Sequence, residues 1–193
     1  MKHDKPVLEE FHFESAAKYL GCEVAAIKAV AEVESPRGGF NPDDTPVTLF
    51  EGHWFSRYTK GKFNAEFPSI SYPKWTKQFY GKNWKEEQAR IQQAIALDRT
   101  SALMSASWGK FQIMGFNFAV CGFRTIQQFV NAMYKSEEEH LNAFCNYIVR
   151  NGLDDEFRDL RWDDFAYQYN GPEYKKNRYA EKLETAYKKY KGV

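Results

Sequence analysis

The sequence has little that would mark a membrane-spanning or nucleic-acid-binding protein. No run of about 18 consecutive apolar residues occurs, so no transmembrane helix is predicted. The 27 basic and 26 acidic side chains nearly cancel, which argues against a basic surface for nucleic acid. The amino terminus leads into no apolar segment, and we therefore expect synthesis in the cytoplasm without a Sec signal.

Cysteine is also scarce. Cys22, Cys121 and Cys145 are odd in number, far apart, and without the paired spacing of a zinc site or a disulfide framework. We expect reduced, mostly buried thiols. His53 has no partner histidine at ligand spacing, so no metal is predicted, and no cofactor is expected.

Aromatic residues, in contrast, are abundant at 17% of the chain, with 5 Trp, 12 Tyr and 16 Phe. Aromatic faces and tyrosine hydroxyls suit sugar rings, which present both C–H faces and hydroxyl edges. The surplus rings either line a carbohydrate groove or simply enlarge the core.

Helical periodicity dominates the chain, and one region breaks it. The length of 193 residues and the lack of a linker predict one domain over residues 1–193. Residues 40–80 are rich in Pro, Gly, Asn and aromatics and predict an irregular, groove-forming insertion, with a short strand or extended segment at 47–50. Residues 107–115 predict a buried turn. Helices are predicted over residues 14–20, 24–34, 84–98, 125–133, 136–151, 162–169 and 176–190.

Two candidate acids lie near the end of the second predicted helix. At about 100° per residue, Glu34 lies roughly 20° from Ile27 and roughly 40° from Val30. Glu32 lies roughly 140° and 160° from the same two residues. Glu34 is therefore predicted on the apolar face and Glu32 on the solvent face.

A carboxyl group such as that of Glu34, on a core-facing stripe at a helix C-terminus, has its pKa raised by desolvation and by the helix dipole. A glycosidase acid needs a raised pKa, because it must keep its proton near neutral pH until the glycosidic oxygen receives it. Glu34 is thus the candidate general acid. The structural alternative is a glutamate paired with an arginine or a backbone donor.

Three segments in order resemble the signatures of lysozyme-like lytic transglycosylases: Glu34-Ser35, residues 106–114 (ASWGKFQIM) and residues 169–172 (YNGP). The N-acetylmuramidase family found in phage and prophage endolysins is a closer resemblance, from Glu23 onward, and rests on Glu34-Ser35, residues 49–51 with His53, residues 105–115 and residues 169–182. The string SWGKFQIMG is specific, whereas Glu-Ser and Asn-Gly-Pro alone are weak signals. The resemblance implies a mainly α, lysozyme-like fold with a small irregular or short β-strand region after the catalytic helix.

The resemblance also implies roles for single residues. It makes Glu34 the catalytic acid, places Gln112 and the nearby backbone in the sugar groove, and places Tyr169 and Asn170 close to Glu34. The candidate substrate-binding residues are Ser107, Gln112, Tyr169 and Asn170. Independently, Gln112 offers both a donor and an acceptor, and the Tyr169 hydroxyl is able to hold Glu34. The structural alternatives are a Gln112 that only satisfies backbone groups and a YNGP turn that only ends a helix.

Glycoside hydrolases commonly use a second carboxylate. Glu51 is the first choice, because an extended chain places it on the same side as Val47 and Leu49, an unusual setting for a free acid. Its alternative is a buried ion pair with Arg57. Asp43 and Asp44 are the second choice, with turn formation as their structural alternative.

The predicted function is hydrolysis of the β-1,4 bond between N-acetylmuramic acid and N-acetylglucosamine in peptidoglycan. The protein would act on the bacterial wall after release from the cytoplasm. Alternatives are a lytic transglycosylase, which forms 1,6-anhydromuramoyl products and needs no second carboxylate, and a non-catalytic peptidoglycan-binding module. Bacterial species range and oligomeric state are left open.

The carboxy-terminal helix is predicted to have an apolar stripe and a basic remainder. The basic face either is simply solvated or contacts an anionic envelope or lipopolysaccharide. The stripe comprises Tyr179, Leu183, Ala186, Tyr187 and Tyr190, and the cations include Lys188, Lys189 and Lys191.

Overall fold

The computed structural model describes residues 4–34 and 38–192. Helices dominate these residues, and one small antiparallel sheet accompanies them. The predicted mainly α class with a short β region is therefore confirmed. The helices are α1 Glu10–Leu20, α2 Val24–Glu34, α3 Gly52–Tyr58, α4 Trp84–Leu97, α5 Arg99–Met104, α6 Ile126–Met133, α7 Glu137–Arg150, α8 Asp154–Arg158, α9 Trp162–Asn170 and α10 Tyr179–Lys191. The strands are β1 Thr48–Phe50, β2 Ala106–Trp108 and β3 Ile113–Met114, and two 3-10 helices cover Gly115–Asn117 and Pro172–Asn177.

The first two helices contact each other and are joined by a short turn. α1 begins four residues earlier than predicted, because Glu9 and His12 form a reciprocal capping box at its start. Gly21 ends α1 in the left-handed conformation. α2 has the predicted bounds, and Ile27 and Val30 on its apolar stripe are fully buried.

Residues 40–80 are more regular than predicted. They contain β1 and the seven-residue helix α3, which starts at Gly52. A side chain at Gly52 would stand 2.3 Å from the Tyr72 ring and 2.4 Å from the Ile70 carbonyl oxygen, so only glycine allows this close packing. Phe55 anchors α3 with no exposed surface.

The sheet has the order β1-β2-β3, with all pairs antiparallel. Thr48 pairs with Trp108, and Trp108 pairs in turn with Ile113. The segment predicted as a buried turn is therefore a β-hairpin, whose strands of three and two residues are too short to show an alternating pattern. The sheet brings residues 107–114 beside the segment that follows α2.

The later helices start where polar caps allow it. Asn83, Asp98, Thr125 and Ser136 cap α4, α5, α6 and α7 with their side chains. α8 was not predicted from the sequence. The last helix was predicted to begin at residue 176, whereas a 3-10 helix ends at Asn177 and α10 begins at Tyr179.

One cluster of buried side chains contains residues from α1 through α10. Phe50, Phe111, Phe144 and Phe157 lie at its centre with at most 1% exposure. α10 packs along α2, where Leu183 is fully buried.

Cys121 and Cys145 are buried and Cys22 is half-buried, all three as free thiols, as predicted. In the described residues, no helix is long and apolar enough to cross a membrane.

Candidate active site

Glu34 is the last residue of α2, and its carboxylate accepts a hydrogen bond from the Tyr179 hydroxyl at the start of α10. Taken as a whole residue, Glu34 is partly exposed to solvent. Protein atoms nevertheless enclose its carboxyl, and this burial raises its pKa to about 7, although the Tyr179 hydrogen bond acts in the opposite direction. The group therefore holds a proton near neutral pH, as a general acid must.

Tyr169 does not hold Glu34, contrary to one expectation from the sequence. Its hydroxyl donates to the Phe111 carbonyl at 2.8 Å, and its ring stacks on Phe165. Burial raises the Tyr169 pKa well above its usual value, and the nearby Glu34 charge raises it further. Tyr169 is thus a neutral neighbour of Glu34 that ties α9 to the β2–β3 turn. The Asn170 side chain lies outside the described part of the chain.

Ser107 and Gln112 come together across the β2–β3 turn. The Ser107 hydroxyl donates to Gln112 Oε1 at 2.9 Å, while Gln112 Nε2 donates to the Gly109 carbonyl at 2.8 Å and to the Val47 carbonyl at 3.3 Å. Gln112 has a positive φ of 47°. Both side chains therefore stabilise a strained turn, which corresponds to the structural alternative for Gln112.

A buried polar cluster lies behind this turn. Glu137, 3% exposed, accepts from the Gly39 backbone at 2.6 Å. His140, 1% exposed, accepts from the Lys110 backbone at 3.0 Å through Nδ1 and contacts the Met133 carbonyl at 2.7 Å through Nε2. A side chain at position 109, where φ is +70°, would stand 2.9 Å from the His140 ring. The cluster fixes the turn relative to the segment after α2.

The protonation states of this cluster follow from its surroundings. Burial lowers the pKa of His140 to about 4, so the ring is neutral and Nδ1 is free to accept. Burial opposes ionisation of Glu137, but the Lys110 ammonium and the Leu8 and Gly39 backbone N–H groups outweigh it and lower the Glu137 pKa. Nothing in the sequence pattern identified this cluster, because its members are far apart along the chain.

Glu51 lies between β1 and α3, within a separate polar group. Its Oε1 accepts from the Tyr80 hydroxyl at 2.6 Å, and its Oε2 lies 3.3 Å from His53 Nδ1. Among the described residues, neither Glu51 Oε2 nor His53 Nδ1 has a hydrogen-bond partner of good geometry. Arg57 lies over the Trp54 ring, 5.1 Å from its centroid, so the expected alternative of a Glu51–Arg57 pair is wrong.

Asp43 and Asp44 make different side-chain contacts after α2. Asp43 Oδ1 accepts from the Thr45 hydroxyl at 2.6 Å, and Asp44 Oδ1 accepts from the Asp4 backbone at 2.8 Å. The Asp43 contact is the turn contact of the structural alternative, whereas the Asp44 carboxylate binds a segment 40 positions earlier in the chain. Within residues 4–34 and 38–192, no hydrogen bond or ion pair joins Glu51 to Glu34.

The mainly helical fold with its small antiparallel sheet is lysozyme-like, and Glu34 lies at the end of one of its helices. Residues 23–191 match the family model of the N-acetylmuramidases, and the chain belongs to this family of peptidoglycan hydrolases. It is similar to the Burkholderia AP3 phage endolysin in its crystal structure, with a TM-score of 0.88 and 35% identity over 98% of this chain and 73% of that one. Among curated proteins, no relative matches the chain.

Proposed function

We propose that this protein is a lysozyme-type endolysin in which residues 1–193 form one catalytic domain. It would hydrolyse the β-1,4 bond between N-acetylmuramic acid and N-acetylglucosamine and act on the bacterial wall after release. The observation that carries the proposal is the raised pKa of about 7 at Glu34, in a member of the N-acetylmuramidase family.

Glu34 is the proposed general acid. When protonated, it donates its proton to the glycosidic oxygen as the bond to the anomeric carbon breaks. The Tyr179 hydroxyl orients the carboxyl group and stabilises the carboxylate that remains. A pKa of about 7 leaves roughly half of the molecules in the acid form at neutral pH.

Glu51 is the proposed second carboxylate. Tyr80 holds one of its oxygens, which leaves Oε2 next to His53 without a good hydrogen bond within the described residues. The Glu51 carboxylate is proposed to act as the base for an attacking water or to stabilise positive charge on the sugar. Tyr169 and Asn170 are retained as proposed substrate-binding residues, and Ser107 and Gln112 are proposed to support substrate binding indirectly, through the turn that they stabilise.

The experiment is digestion of purified peptidoglycan followed by mass spectrometry. Hydrolysis gives a reducing end, whereas transglycosylation gives a 1,6-anhydro sugar that is lighter by one water. Glu34→Gln should lower the rate by at least about 100-fold, because the amide has no proton to donate. Glu32→Gln is the matched control, since Glu32 lies on the same helix and contacts Lys189 and Tyr190 at the surface. Anhydro products, or equal losses in both variants, would contradict the proposal.

A further inference from the structure

Trp75 is an exposed aromatic side chain on the loop between α3 and α4. It is 59% exposed, whereas Trp108 and Trp162 are 2% and 6% exposed. Single exposed apolar side chains are common on protein surfaces and need no function. Trp75 differs from such side chains because its loop is anchored to the rest of the protein. This loop, residues 72–80, is called the Trp75 loop.

Both ends of the Trp75 loop bind the short segment Glu51–Gly52. At one end, the buried Tyr72 receives a hydrogen bond from the Gly52 N–H at 3.2 Å and donates its own N–H to the Gly52 carbonyl at 3.4 Å. At the other end, the Tyr80 hydroxyl donates to Glu51 at 2.6 Å. Tyr72 and Phe79 close the base of the loop, with ring centroids 5.0 Å apart. The base of the loop is therefore held beside Glu51.

Trp75 itself is linked to Glu51 through one side chain. Its side chain forms a polar contact with the Tyr80 hydroxyl. The Tyr80 hydroxyl in turn donates to Glu51.

We propose that Trp75 is a sugar-binding residue that stacks on a pyranose ring of the glycan strand beside Glu51. The proposal rests on the proposed function, because it places this sugar next to the proposed second carboxylate. An indole presents a large, rigid, apolar face that matches the C–H face of a pyranose. Lys77 Nζ lies 5.7 Å from the ring centroid, and an exposed cation of this kind interacts weakly enough for a sugar to replace it.

The test measures binding separately from turnover. Soluble N-acetylglucosamine–N-acetylmuramic acid oligosaccharides are titrated into the Glu34→Gln protein, with and without Trp75→Ala, by calorimetry. We expect Trp75→Ala to weaken binding roughly tenfold and Trp75→Phe to restore most of it. In the active protein, Trp75→Ala should raise KM more than it lowers kcat.

The matched control is Tyr19→Ala, because Tyr19 is also 59% exposed but lies on α1. Oligosaccharide binding equal to that of the Tyr19→Ala control would overturn the stacking role. A loss of kcat in Trp75→Ala with unchanged binding would also overturn it, in favour of an effect through Tyr80. Failure of the proposed function has a different signature, since the wild-type protein would then leave peptidoglycan intact.

Discussion

The hydrogen bond from Tyr179 opposes the burial that raises the Glu34 pKa. Tyr179→Phe removes this bond and keeps the ring, so the Glu34 pKa should rise above its value of about 7. The alkaline limb of the pH–activity profile should then move to higher pH, while maximal kcat falls about tenfold through loss of orientation. A pH profile of kcat on soluble fragments checks both effects. An unmoved or acid-shifted limb would show that Tyr179 does not tune this proton.

Glu51 gives a second prediction at the residue scale. Glu51→Gln should lower kcat by about 100-fold or more if the carboxylate acts as a base, with little change in thermal stability. Tyr80→Phe is a useful second variant, because it removes the hydrogen bond to Glu51 Oε1 and leaves the negative charge of Glu51 in place. Full activity of Glu51→Gln would move the mechanism toward one that needs no second carboxylate. Unfolding of Glu51→Gln would favour a purely structural carboxylate.

Glu34 was predictable from the sequence, whereas its partner was not. The helical phase of Ile27 and Val30 is local, so it placed Glu34 on the apolar face without any knowledge of the rest of the chain. Tyr179 lies 145 positions away, and the same stripe argument that predicted it as a core residue could not say what its hydroxyl meets. The choice between Tyr169 and Tyr179 depends on tertiary packing alone.

At the scale of secondary-structure elements, the basic face of α10 has less excess positive charge than the sequence predicts. Lys188, Lys189 and Lys191 pair with Glu184, Glu32 and Glu23 at 3.0, 2.6 and 2.6 Å. The lysines were predicted to give this end an excess positive charge, and these pairs reduce it. The carboxylates Glu23 and Glu32 also accept from Tyr187 and Tyr190, so polar contacts of α10 reach both ends of α2.

A contact between this face and an anionic envelope stays a prediction. Exposed ion pairs are worth at most about 1 kcal/mol, so an anionic surface is able to compete for the three lysines. Replacing Lys188, Lys189 and Lys191 by Gln should reduce binding to intact envelopes severalfold at low salt and have little effect at high salt. The control replaces the exposed Lys18, Lys60 and Lys135, which lie elsewhere, with the same change in charge. Equal binding of both triple variants would leave α10 without a specific role in wall contact.

Long elements with strong periodicity were predictable, and short ones were not. α2 and α7 carry apolar stripes and, for α7, a serine cap, which are local signals. α3 has seven residues and begins with glycine, and its position depends on packing against Tyr72. The β2–β3 hairpin likewise depends on the side chain of Gln112, which replaces backbone contacts that two short strands cannot supply.

At the scale of the whole molecule, Glu34 and His140 make stability depend on pH in opposite directions. Relative to ordinary values of 4.5 and 6.5, burial raises the pKa of Glu34 to about 7 and lowers that of His140 to about 4. The Glu34 contribution is fully present below pH 4.5 and is lost as pH rises through about 7. The His140 contribution is fully present above pH 6.5 and is lost as pH falls toward 4. Between pH 4.5 and 6.5 the Glu34 contribution falls as pH rises while the His140 contribution grows, so the two changes in stability largely cancel.

Glu34→Gln removes only one of these opposing contributions. The variant should be more stable than the wild type at pH 8, by on the order of 3 kcal/mol, and lose this advantage as pH falls to 4.5. Urea unfolding at both pH values measures the difference. Glu32→Gln should show the opposite trend, because the Lys189 and Tyr190 hydrogen bonds lower the Glu32 pKa. A stability difference that does not change with pH would show that the Glu34 carboxyl is not desolvated.

Under the proposed function, Glu34 acts as an acid only after α10, which is synthesised later, has docked on α2. The ribosome completes α2 long before Tyr179, and the contact between them spans 145 positions. Until α10 is in place, Glu34 is a carboxylate at the end of a solvated helix, ionised at neutral pH and unable to donate a proton. Glu34 thus gains the raised pKa of the proposed acid only when α10 docks on α2. A nascent or proteolytically shortened chain would carry every residue of α2 and still be inert toward the wall.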